Sequence, residues 1–182
     1  MNDPVVPAVV LTMLLMLILS FFVWDALGLV RKDQVIVATA RKFIGVVEDA
    51  PNDGETVRLI QANLDGVAIK EPWDMAFVQF VLDSTGDNKL YKSEHVYTVW
   101  SRTPAKRRKA FPSPGYIAVW QKIVSGKLTT GGHVGIVESV DGENFSTIEG
   151  NVHEEGKQGV FIKSRHLGLD GSMKLLGFLR PW

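Results

Sequence analysis

The hydrophobic pattern of this chain changes period once, near Gly115, and that change restricts the folds open to it. Before it, apolar residues recur with a helical rhythm. In Asp33–Glu48 they are Val35, Ile36, Ala38, Ala40, Phe43, Ile44 and Val47. The turn Pro51-Asn52-Asp53-Gly54 closes that segment, and Glu55–Leu64 reads as a second helix. A third follows Pro72, runs through Leu82 and stops near Gly86. After Gly115 come Tyr116–Gln121, His133–Val140, Asn144–Glu149, Gly159–Lys163 and Lys174–Leu179. These are short, rich in Val, Ile and Phe, and separated by Gly, Asp and Ser. Helices first and strands second predict an α+β domain, with N-terminal helices packed on an antiparallel sheet of about five strands.

A second part precedes that domain. From Pro4 to Trp24 no side chain ionises, and residues 5–24 would span about 30 Å as a helix, the thickness of a bilayer core. Trp24 suits an interfacial position. A cleaved signal peptide would begin with Lys or Arg and end on small residues, whereas this run exits through Phe21-Phe22-Val23-Trp24-Asp25. The expected organisation is therefore a single-pass transmembrane anchor over 1–32, partnered with lipid through residues 5–24, and a folded domain over 33–182. Arg31, Lys32, Arg41 and Lys42 follow the span and nothing positive precedes it, so the flanking charges favour a cytoplasmic domain.

Twenty Lys and Arg balance twenty Asp and Glu, and residues 31–182 alone carry about +2. A nucleic-acid partner relying on a broad positive field is disfavoured. The one basic cluster, Lys106-Arg107-Arg108-Lys109, reads as a solvated loop, or else as a patch for anionic glycan or lipid headgroups. The absence of cysteine excludes disulfides, Cys-ligated metals and a thiol nucleophile.

Candidate chemistry gathers on the strands. His133 opens one directly after Gly131-Gly132. Glu149 and Asn151 stand two apart at the end of the next, expected on one face. A hairpin through Asp141-Gly142 would bring His133 near Glu149, with Gly135 leaving room beside the ring. An imidazole oriented by a carboxylate is the core of an acid–base site.

Four segments, in order, resemble the CHAP family of papain-like peptidoglycan amidases and endopeptidases. They are Pro72-Trp73-Asp74-Met75-Ala76-Phe77-Val78, Pro114-Gly115-Tyr116-Ile117-Ala118-Val119-Trp120, Gly132-His133-Val134-Gly135-Ile136-Val137 and Thr147-Ile148-Glu149-Gly150-Asn151. The resemblance covers about residues 35–180. It implies a papain-like fold and a peptidoglycan substrate, with no cofactor and no metal. It also implies that His133 is the general base, Glu149 the group orienting it and Asn151 a polar companion. The family's nucleophilic cysteine falls at Asp74, and Tyr116 stands where an Asp is common.

A carboxylate is a poor amide nucleophile, since its acyl adduct is an anhydride that reverts. Asp74 is open to four readings: a helix N-cap, a replacement that inactivates a hydrolase, the mark of a natural pseudoenzyme that binds cell wall without cutting, or a zinc ligand with His133 and Glu149. Trp73 and Trp120 are candidates for the walls of a substrate groove, against core packing as the alternative. His95, His153 and His166 read as packing, capping or exposed residues. A lone span joined to a wall-degrading domain suggests phage lysis or a virion-associated role, with the domain on the cell-wall side against the charge rule.

Overall fold

The computed structural model describes residues 31–86 and 88–182. The run 5–24, expected to span a membrane, lies outside the described residues, and among these no helix is long and apolar enough to cross a bilayer. Residues 32–182 hold together as one unit. Its helices are α1 (Lys32–Arg41), α2 (Glu55–Gln61), α3 (Asp74–Ser84) and α4 (Val96–Arg102), followed by a 3-10 turn at Ala105–Arg107. The strands are β1 (Arg108–Lys109), β2 (Ile117–Val124), β3 (Lys127–Asp141), β4 (Asn144–Glu154), β5 (Lys157–His166), β6 (Leu169–Asp170) and β7 (Met173–Leu179). They form a seven-stranded sheet, ordered β1-β7-β2-β3-β4-β5 with β6 on β7. Every pairing within it is antiparallel.

The α+β expectation holds, and each of the five expected strands is present. The two-residue strands β1 and β6 are additions, too short to show a period. The first helix is shorter than its apolar rhythm implied, ending at Arg41 rather than Glu48. Gly45 adopts a left-handed φ of 89°, and the chain leaves the helix to bond with β5: Gly45 N–H donates to Val160 O at 2.9 Å, and Val160 N–H to Val46 O at 2.8 Å. The apolar residues beyond Arg41 follow a helical spacing by coincidence of composition.

Alternation along β2 sorts the core into two clusters. Ile117 and Val119 join Val134, Ile136 and Ile148 beneath the helices, whereas Ala118 and Trp120 join Val137, Phe145 and Phe178 on the opposite face. Helix α3 is the central support. Eight of its eleven residues are buried, including Met75, Phe77, Val78 and Leu82. A helix apolar on nearly every side has to be enclosed, and burying each such side chain contributes about 1.5–3 kcal/mol. The β2–β3 and β4–β5 hairpins turn through Ser125-Gly126 and Glu155-Gly156. Positive φ at both residues of each turn matches the twist of the flanking strands.

The basic cluster is absorbed by the fold. Arg107 donates to the carbonyl of Trp182 at 2.5 Å, and Arg108 donates to the carbonyls of Ser101 and Thr103 at the end of α4 while lying over the Trp100 ring. Two of its four cations thus tie the chain together instead of forming a patch for polyanions. Tyr116 packs against Trp182, with ring centroids 5.6 Å apart.

Candidate active site

Helix α3 begins where Trp73 is locked. Its indole N–H donates to Glu48 Oε1 at 2.6 Å, and the other Glu48 oxygen accepts the Asn52 N–H at 2.8 Å. Trp73 is itself the N-cap and makes no side-chain capping bond. The capping role expected for Asp74 is therefore corrected: Asp74 is the first helical residue, and its carboxylate turns away from the helix end to meet a histidine. His133 Nδ1–H donates to Asp74 Oδ2 at 3.0 Å, and His133 Nε2–H donates to Glu149 Oε2 at 2.7 Å. A carboxylate beside the first turn of a helix sits at the positive end of the helix dipole.

The sheet delivers the other half of the site. Trp120 is the register partner of His133 and lies under its ring, with centroids 6.0 Å apart and planes 28° from parallel. Gly135 leaves room that Glu149 fills: a Cβ at that position would stand 2.7 Å from Glu149 Cγ and 2.9 Å from Thr147 Cβ. Thr147 and Glu149 are both fully buried, so neither yields easily. Gly135→Ala should therefore cost about 1–3 kcal/mol through overpacking and displace Glu149 from the ring. Urea unfolding measures the loss, and an unchanged midpoint would show that the space is not needed.

Glu149 is held from three further directions. Arg165 donates through Nε to Oε1 at 2.8 Å and through Nη2 to Oε2 at 2.6 Å, and the Thr147 hydroxyl donates to Oε1. The Arg165 guanidinium also lies over Trp120, 5.0 Å from the ring centroid.

These contacts set the charges. Burial disfavours the imidazolium, but hydrogen bonds and attraction from Asp74 and Glu149 outweigh it and raise the His133 pKa from 6.5 to about 9. Burial likewise opposes the Glu149 carboxylate, yet His133 and Arg165 prevail and lower its pKa from 4.5 to about 2. The histidine contribution to stability is complete below pH 6.5 and disappears as pH rises through 9. The glutamate contribution is complete above pH 4.5 and disappears as pH falls towards 2. Stability from this cluster should peak between pH 4.5 and 6.5, with on the order of 2 kcal/mol lost by pH 10. Denaturant melts across that range check the curve, and NMR titration of the ring should give a midpoint near 9.

The remaining candidates sort as follows. Asn151 does not share the Glu149 face. The β4–β5 register slips between Glu149 and Val152, Asn151 takes a φ of 59°, and its side chain accepts from Gln158 rather than touching the imidazole. Trp73 and Trp120 are both 0% exposed, so they are core, and neither offers a ring to a bound chain. The zinc alternative fails on geometry, because the two carboxylates occupy opposite nitrogens of the same ring. Among the described residues no group of three His, Cys, Asp or Glu could hold a metal ion. His95 sits at the N-cap of α4, and His153 and His166 are exposed. The opening onto the pair is narrow, with side-chain exposures of 13% for His133 and 8% for Asp74.

Sequence reasoning missed Arg165 and Thr147. No local signal pointed to Arg165: the Glu155-Gly156 turn alone would set His166 opposite Phe145, and only the slip between Glu149 and Val152 brings Arg165 there, onto the face shared with Thr147 and Glu149.

With this geometry in view, comparison with known families is informative. Residues 67–151 match the family model of the CHAP domain. This segment is a CHAP domain. The matched stretch contains Asp74, His133, Glu149 and Asn151, and it ends before Arg165. No curated protein matches the chain. The CHAP domain points to peptidoglycan as substrate and to hydrolysis as the chemistry of the lineage.

Proposed function

We propose that this chain is a membrane-anchored, papain-like peptidoglycan amidase or endopeptidase whose chemistry is held silent by Asp74. The observation that carries the reading is His133 clamped between two carboxylates, Asp74 at 3.0 Å and Glu149 at 2.7 Å. In a papain-like mechanism a thiolate at the helix N-terminus attacks the amide carbon, and the imidazolium passes a proton to the departing amine. Position 74 has the required placement beside the first turn of α3 and against His133. Its carboxylate reproduces the charge of a thiolate but not its nucleophilicity. Backbone N–H groups at the start of α3 are suited to hold the oxyanion.

The span expected over residues 5–24 supplies the anchor, and the CHAP domain would then face the wall side, as in a phage lysis or virion-associated protein. The natural-pseudoenzyme alternative, a wall-binding or virion structural component, shares the silence of the chain. It rests on the same satisfied ion cluster, which needs no substrate to be stable.

Purified peptidoglycan incubated with the chain should release no new amine termini yet should co-sediment with it. Release of termini by the chain as it stands would overturn the silence attributed to Asp74. Protease protection on spheroplasts tests the topology, and a cytoplasmic domain would remove the wall as its substrate.

A further inference from the structure

We infer that Arg165 is the positioning residue that sets the basicity of His133, by sharing the Glu149 charge that would otherwise act on the imidazole alone. The inference deepens the hydrolase reading and rests on it for its purpose, though not for its test. It starts from a count of charges. Asp74, Glu149, His133 and Arg165 form a linked group of two anions and two cations, joined by contacts of 3.0, 2.7 and 2.6 Å. A thiolate at position 74 would leave the same balance: one thiolate–imidazolium pair and one carboxylate–guanidinium pair. Without Arg165 the group carries an uncompensated negative charge beside the ring. Burial magnifies such a charge, because Glu149 is 0% exposed.

The groups facing His133 are few. Helix α3 presents Asp74, β4 presents Glu149, β5 presents Arg165 behind Glu149, and β2 presents the uncharged Trp120. Helix α4 approaches this end of β3 through the apolar Val96, whose Cγ1 would lie 2.8 Å from a Cβ at Gly132. Arg165 is thus the one cation among these neighbours that opposes protonation of the ring. Its fork engages both oxygens of Glu149, and its plane covers Trp120, which in turn underlies the imidazole. The same side chain therefore governs both the charge and the plane of the base. An imidazolium facing a bare buried carboxylate would hold its proton more tightly still and yield it less readily to a departing amine.

The test is NMR titration of His133 in the full chain and in two variants. Arg165→Gln keeps donors near Glu149 without the charge, and Arg165→Lys keeps the charge without the fork. In Arg165→Gln the proton affinity of His133 should rise about threefold or more, while in Arg165→Lys it should stay close to that of the parent. Equal midpoints in all three folded proteins would overturn the inference, because a residue that only braces the fold would lower stability without moving the titration. A lower affinity in Arg165→Gln would overturn it as well. Should Arg165→Gln not fold, Arg165→Met in the same titration carries the same expectation, and a parent-like midpoint there is equally decisive. Repeating the comparison as a pH–rate profile in Asp74→Cys separates the two ideas. A titration that shifts as expected in a protein that never hydrolyses peptidoglycan sinks the hydrolase reading alone.

Discussion

Asp74→Cys is expected to turn a chain that cuts no peptidoglycan into one that does, with amide cleavage at least about a thousandfold above the parent. The groups for that chemistry are in place around position 74. The substituted sulfur would start α3, where the helix dipole favours a thiolate. It would lie beside His133 Nδ1, in the place of an oxygen now 3.0 Å away, while Nε2 stays held by Glu149 at 2.7 Å. The thiolate would keep an anion beside Nδ1 where the carboxylate now stands, so His133 stays protonated and can pass its proton to the departing amine. Release of free amines from purified peptidoglycan is the measurement. Asp74→Ser and Asp74→Ala serve as controls and should remain silent. A folded Asp74→Cys protein that frees no amine would end the account of this chain as a silenced hydrolase and leave the wall-binding alternative.

Glu149→Gln should produce the largest loss of stability among single substitutions in this cluster, about 3–5 kcal/mol. The side chain is fully buried, and the amide keeps its shape while abandoning two cations. Arg165 would lose a bidentate anion and His133 its second carboxylate. The His133 pKa should fall with it, since Glu149 is one of the two groups raising it. Urea unfolding and ring titration on one sample separate the two effects. A loss below about 1 kcal/mol would place Glu149 with ordinary surface ion pairs.

How far these features could be read in advance depends on the distance over which each is encoded. The strands were legible because alternation is local, and the two apolar clusters follow from it directly. Proximity of His133 and Glu149 was legible because Asp141-Gly142 joins their strands, although the slip between Val137 and Ser139 is what puts both on one face. Asp74 lies 59 residues from His133, and no local rule spans that interval. Only the ordered resemblance of whole segments brought the two together. Arg165 escaped because it sits one strand further on, in a stretch with no distinguishing motif. Asn151 was misplaced for a different reason. A register slip after Glu149 breaks the alternation that put both residues on one face, and slips of that kind depend on the neighbouring strand. The overlong first helix is the same lesson at the level of backbone: Gly45 and Val46 find partners in β5, 114 to 115 positions later, which local periodicity does not anticipate.

The order of strands has a consequence for how the domain is made. Residues Met173–Leu179, the seventh strand in chain order, sit between β1 and β2 rather than at an edge. A nascent chain leaving the ribosome can assemble the hairpins β2–β3 and β4–β5 early, but β1 has nowhere to dock until that strand is made. Until β7 arrives the β2 edge stays unpaired, a row of backbone donors and acceptors open to any extended strand it meets.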